Sequence, residues 1–196
     1  MANIETLRSK LESLGYQTSH FATARQAADY LNGQLDGTTV AFGGSMTLLD
    51  MGLYEQLQTH NTVYWHWKGD ALSDATGAKV YLSSVNALAE TGEIINIDGT
   101  CNRVGGTLYG HEKVYLVVGV NKIAPDYDAA LFRARNVAAP LNARRLDRKT
   151  PCAQGKELKC YNCASPERIC RALTVLWTKP GGADYEVVLI DEPMGY

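Results

Sequence analysis

No stretch of this chain approaches the length needed to span a bilayer. The opening run MANIETLRSKLESLGYQTSHFATARQAADYL mixes charges and lacks the apolar core of a signal peptide. Both absences predict a cytoplasmic protein, in a compartment where free thiols and thiolate metal sites persist. Surplus charge of one sign is missing too. The 19 basic and 21 acidic side chains leave a net charge of −2, which gives no global pull towards nucleic acid or a membrane surface. Histidine is scarce at four residues, with no His-x-x-x-His pair and no Ser-His-Asp pattern. No glycine loop ends in Gly-Lys-Ser/Thr, so there is no Walker loop, and there is no Rossmann fingerprint. Internal repeats are absent.

Cysteine is also sparse, at five residues, but four of them crowd into nineteen positions: Cys152, Cys160, Cys163 and Cys170. The spacing is C-x7-C-x2-C-x6-C. A Cys-x2-Cys pair lets two thiolates approach one metal from a single turn, and two further cysteines complete a four-sulfur shell. Soft sulfur ligands point to an iron–sulfur cluster, of 4Fe-4S type, or to zinc. Zinc sites usually carry two short Cys-x2-4-Cys knuckles, and only one pair here is that close. Two disulfides, idle thiols and redox-regulatory thiols are the other readings of the same run.

At 196 residues the sequence is most simply one domain, 1–196, with a helical segment at 1–33 and a cysteine-rich segment at 150–170. Ile4, Leu7, Leu11 and Leu14 predict a helix over 2–15 that stops at Gly15, and 22–32 predicts a second. Strands are predicted at 38–42, 63–67, 80–82, 93–97, 114–118 and 185–190. A short helix is predicted near 86–90 and a longer one over 128–137, while 150–166 reads as a loop shaped by its ligand. Strands and helices alternate, which predicts an α/β fold with a largely parallel central sheet covered by helices on both faces.

Two glycine loops follow predicted strands. The first, Phe42-Gly43-Gly44-Ser45-Met46-Thr47, offers positive φ or close backbone approach and two hydroxyls ahead of a helix. It predicts a phosphate or carboxylate pocket, although Ser45 is equally suited to be a plain N-cap. The second runs from Asp98 to Gly106, where Asn102 and Arg103 could converge with the first loop on one anion. An Asp-Gly turn with a structural arginine is the plainer reading. Glu90 and Asp98 are the candidate catalytic carboxylates. Cys101 is expected to be a small buried residue and His66 a strand residue. The basic run from Arg133 through Arg135, Arg144, Arg145 and Arg148 to Lys149 is either a solvated helix face or the rim of an anion cleft.

The blocks VAFGGSMTLLDMGLYEQL, YLSSVNALAETGEIINIDGTCNRVGGTLYGHEKVYLVVGVNKI and PC…CYNCASPERIC…VVLIDEPMGY together resemble the lactate utilisation (LUD) domain family, over nearly the whole chain. The resemblance implies a fold related to the sugar-phosphate isomerase and CoA-transferase superfamily. There a glycine-rich turn after a strand binds phosphate or acyl substrate, the place of Gly43, Gly44, Ser45 and Thr47 here. It also implies a part in oxidising lactate or a related organic acid beside iron–sulfur partners. Glu90-Thr91-Gly92 is a loose echo of the Glu-Asn-Gly motif that carries the catalytic glutamate of some CoA-transferases, without the Asn. The chain also lacks the ferredoxin-type Cys-x2-Cys-x2-Cys-x3-Cys-Pro run. The resulting expectation is a protein that binds a small anionic metabolite and carries a four-cysteine metal site. Redox proteins and further copies of the chain are the expected partners; no nucleic acid or membrane is. An isomerase or CoA-transferase-like enzyme with a structural metal, and a non-catalytic redox or ligand sensor, are the alternatives.

Overall fold

The computed structural model describes residues 3–196. In chain order the elements are α1 Ile4–Ser13, β1 Gln17–Phe21, α2 Ala24–Gln34, β2 Thr39–Phe42, α3 Met46–Asp50, α4 Leu53–Leu57, β3 Thr62–Tyr64, β4 Val80–Ser84, β5 Ala87–Ala89 and β6 Ile94–Asp98. They continue as α5 Asn102–Leu108, β7 Lys113–Gly119, β8 Ile123–Ala124, α6 Tyr127–Arg133, α7 Ala139–Arg145, α8 Pro151–Gln154, β9 Ala172–Leu176 and β10 Asp184–Ile190.

Local chemistry explains most of these boundaries. Asn3 caps α1 by accepting from the Thr6 amide, and Leu7 and Leu11, one turn apart, are its buried face. Gly15 ends it at φ +91°, as its position predicts. Residue 2 of the predicted helix lies outside the described residues. Thr23 and Gln26 form a reciprocal capping box on α2.

Six strands form one parallel sheet in the order β1-β10-β7-β4-β2-β3. The α/β expectation and its parallel sheet are met. Side chains alternate between two cores. Val40, Phe42, Leu82, Val117 and Val188 pack with α2, α3 and α4 on one face. Ala41, Tyr81, Leu116, Val118 and Leu189 face Leu7 and Leu11 of α1 on the other.

That second face is covered by more than helices. A four-stranded sheet, ordered β8-β5-β6-β9, lies there and sends Leu88, Ile94 and Leu176 into the same core. Its other side packs Ala87, Ala89 and Ile95 against Ala130 and Ala134 beside α6. The segment predicted as a short helix at 86–90 is therefore strand β5, and the strand predicted at 93–97 pairs antiparallel within this second sheet. The strand predicted at 63–67 ends at Tyr64, and a 3-10 turn at His66–Lys68 follows. β1, β8 and β9 have no counterpart in the sequence reading. The helix predicted over 128–137 continues as α6, a π-helical turn Ala134–Ala138 and α7. The cysteine segment opens with the short helix α8 before the extended loop. Among the described residues no helix is long and apolar enough to cross a membrane.

Candidate functional site

The crossover leaving β2 runs through α3 and α4 to β3 at the sheet edge, whereas the chain leaving β4 travels the other way, to β7. These two crossovers diverge between neighbouring strands. A crevice outside the carboxyl ends of such strands is the expected ligand site in an open α/β sheet. A cavity of about 360 Å³ lies there, lined by Gly44, Ser45 and Met46 after β2, by Ser84 at the end of β4 and by Asn86 just beyond it. His66, Trp67, Asp98, Gly99, Thr100, Asn102, Arg103 and Lys122 complete its inner wall. Val85, Ile97, Ala139, Asn142, Arg145, Leu146, Arg148, Ile169 and Tyr196 form the rest of the lining.

The two glycine loops thus meet at one cleft, but their residues divide in role. Gly43 and Gly44 do not adopt positive φ. They are needed for close approach: a Cβ at Gly44 would lie 3.2 Å from the Trp67 ring, and one at Gly43 would meet the Tyr81 hydroxyl at 2.8 Å. Ser45 accepts from the Leu48 amide, so it is an N-cap as well as a wall residue. Thr47 is fully buried behind the wall, bonded to Lys122 and the Met194 carbonyl.

Arg103 lines the cleft, yet its guanidinium is occupied. Nη1 donates to the Ser84 carbonyl and Asn96 Oδ1, and Nη2 donates to Asn86 Oδ1 and the Ile97 carbonyl. It ties β4 to β6 across the two sheets. Burial lowers its pKa, with Asp98 acting in the opposite sense. Asp98 Oδ1 accepts from the amides of Gly99, Thr100 and Cys101, while Oδ2 accepts from Val104. Its carboxylate therefore organises the turn into α5. Asn102 faces the cavity. Glu90 is not in the cleft wall; it sits at the β5–β6 turn, where its amide donates to the Ala124 carbonyl. Cys101 is exposed rather than buried, with φ +66° at the start of α5.

Several wall residues carry no local signal in the sequence. His66 reaches the cleft because β3 stops early, and burial lowers its pKa against the pull of Asp98. Trp67 stacks on Trp65 and carries the Arg145 guanidinium 4.9 Å from its ring centroid. Lys122 ends the 3-10 turn that follows the buried strand β7, and only its place near that strand's carboxyl end could have flagged it. The basic run splits. Arg145 and Arg148 line the cleft, Arg135 turns to the cysteines, and Arg133 is bonded to the carbonyls of Asn121 and Asn86.

A second cavity, of about 240 Å³, is lined by all four clustered cysteines: Cys152, Cys160, Cys163 and Cys170. All four are free and partly exposed. The π-helical turn supports this wall. Arg135 Nη2 approaches Cys160 Sγ at 3.9 Å, and Asn136 Oδ1 accepts from the Cys160 amide. Arg168 Nη2 lies 3.3 Å from Cys170 Sγ, and its pKa is raised by that bond and by the sulfurs of Cys163 and Cys160. Arg168 Nε is buried without an acceptor. Among the described residues no three His, Cys, Asp or Glu side chains are disposed to hold a single metal ion. The four cysteines line one cavity without converging on a single point. The two cavities share Ile97, Ala139 and Ile169 in their walls, so they lie back to back.

Comparison with known proteins agrees with this architecture. A DUF162 family protein from Deinococcus radiodurans superposes with a TM-score of 0.60 at 13% identity, covering 95% of each chain. At that identity the likeness is one of fold. Partial overlaps with eIF2B from Chaetomium thermophilum are weaker. Its β subunit gives a TM-score of 0.37 at 14% identity, over 54% of this chain and 44% of that one. Its β2-δ2 tetramer gives 0.39 at 12%, over 59% and 49%. No curated protein matches the sequence. The model of the LUD domain matches residues 4–190, and this chain belongs to the LUD domain family.

Proposed function

We propose that this is a cytoplasmic lactate-utilisation-type protein that binds a small anionic metabolite in the switch-point cleft and carries an iron–sulfur cluster on Cys152, Cys160, Cys163 and Cys170. The observation that carries the reading is the back-to-back placement of the two cavities across Ile97, Ala139 and Ile169. Residues of one shared wall would separate a bound metabolite from the four sulfurs.

The fit of the cysteine cavity to a cluster rests on its donors. Four thiols line it, the Arg168 and Arg135 guanidiniums stand beside the sulfurs, and the buried Arg168 Nε–H lacks an acceptor that a sulfide-rich, anionic group would provide. Tetrahedral zinc needs its sulfurs drawn to about 2.3 Å from one point, which agrees less well with thiols set around a cavity. Such a cluster supplies one-electron transfer. The chain's own residues would bind and orient the metabolite: Arg145 and Arg148 provide positive charge, and Asn86 and Asn102 provide amides. Oxidation of lactate or a related organic acid, with redox proteins exchanging the electrons, is the reaction class proposed. A glutamate-dependent transferase gains less support, because Glu90 does not line the cleft.

Anaerobic purification with iron, sulfide and zinc analysis tests this. The expected result is brown protein with equimolar iron and acid-labile sulfide, both lost in Cys163→Ser. Stoichiometric zinc, or free thiols without metal, would overturn the cluster; the second outcome would favour a thiol-based sensor.

A further inference from the structure

The residue that the two glycine loops and the cysteine run leave unexplained is Lys122. It ends the 3-10 turn Val120–Lys122 after β7, is 4% exposed, and lines the cleft. Nζ donates to Thr47 Oγ1 at 2.9 Å and to Ser84 Oγ at 2.8 Å. Both hydroxyls give their own protons elsewhere, Thr47 to the Met194 carbonyl and Ser84 to the Val117 carbonyl. They can therefore only accept from the lysine. Among the described residues Nζ has no third polar partner. One tetrahedral position on the nitrogen stays unclaimed, in a side chain that forms part of the cleft wall.

The charges facing Nζ come from three elements. Arg133 of α6 and Arg103 of α5 oppose a proton there, and Asp50 of α3 favours one. Burial and the two guanidiniums bring the amine's pKa down to about 7, so the free base is well populated at neutral pH. A desolvated lysine beside other cations is the environment that makes an amine nucleophilic.

We propose that Lys122 is a catalytic amine that condenses with the carbonyl of a small 2-oxo acid whose carboxylate is held by Arg145 and Arg148. The neutral amine attacks the carbonyl carbon. The C=O bond is replaced by C=N, and the two N–H protons leave with the oxygen as one water. No oxidant or reductant is consumed. The inference rests on the anionic-metabolite reading of the cleft and names its substrate class.

Pyruvate, the simplest stable 2-oxo acid, is the probe. The full-length protein is incubated with pyruvate and cyanoborohydride near neutral pH, then digested and mapped by mass spectrometry. A reduced adduct is expected on Lys122 at least ~10-fold above any other lysine, and absent at that peptide in Lys122→Met. Calorimetric titration of pyruvate into the untreated wild-type protein is run in parallel. Binding without a Lys122 adduct would overturn the imine and leave the anion cleft standing. Neither binding nor adduct would overturn both. The wild-type map decides the matter even if the variant folds poorly.

Discussion

Arg103 shows how one side chain serves two sheets. Its guanidinium satisfies the Ser84 and Ile97 carbonyls and the side-chain oxygens of Asn86 and Asn96, all in the part-buried seam beside the cleft. Arg103→Met would leave these acceptors without their donor. Desolvated acceptors are costly, so a loss on the order of 3–5 kcal/mol is expected in urea unfolding. Arg103→Lys should recover only part, since a point-like ammonium cannot reproduce the planar fork. A loss below about 1 kcal/mol would sink the clamp reading. Lys122 makes the opposite kind of statement. Its pKa falls from 10.5 to about 7 on folding, so between those values the unfolded chain holds a proton that the folded chain does not. Stability must then rise with pH across that window. The folding cost of the lysine is full below about pH 7, vanishes near 10.5, and is on the order of a few kcal/mol. The measurable quantity is the stability difference between wild type and Lys122→Met, which should shift in favour of wild type as pH rises. A pH-independent difference would contradict it.

Helix α5 offers a test within one element. Gly105 and Gly106 are neighbours in its sequence, and neither has positive φ. A Cβ at Gly105 meets nothing within 4 Å, so Gly105→Ala should stabilise by about 0.5–1 kcal/mol through helix propensity. A Cβ at Gly106 would fall on the Tyr81 ring, inside van der Waals contact, and Tyr81 is buried and stacked on His111. Gly106→Ala should therefore destabilise by about 1–3 kcal/mol despite the same gain in propensity. Thermal unfolding of the pair checks both signs. Elements were legible in the sequence where burial is two-sided. β7 and β10 read as strands because nearly every residue of each is buried. β1 did not, since QTSHF is an edge strand with no fully buried residue and no apolar alternation. Ala87–Ala89 was misread as helical because three small and apolar residues carry no period, and only pairing with Ile94 and Ile95 makes them a strand.

The whole molecule is organised by the divergence of the chain between β2 and β4. That topology puts loops from residues 44 and 98, about fifty positions apart, into one wall, and it brings Lys122 and Tyr196 to the same cleft. Much was available from the sequence by itself: the α/β class, the parallel sheet, the cysteine cluster and the two glycine loops as partners in one cleft. These follow from local signals, namely burial periodicity, ligand spacing and glycine turns after strands. The division of labour among the loop residues was decided only by tertiary structure. Asp98 and Arg103 look like ligands in sequence because their chemistry suits anions and protons. In the fold their oxygens and N–H groups are largely taken up by backbone and amide partners from other segments. Lys122 shows the converse. Its role arises from Thr47, Ser84, Arg103 and Arg133, which packing gathers around one nitrogen from distant positions in the chain. Hydrogen-bond saturation and desolvation belong to the three-dimensional neighbourhood of a group, and so a sequence carries them only through the fold it specifies.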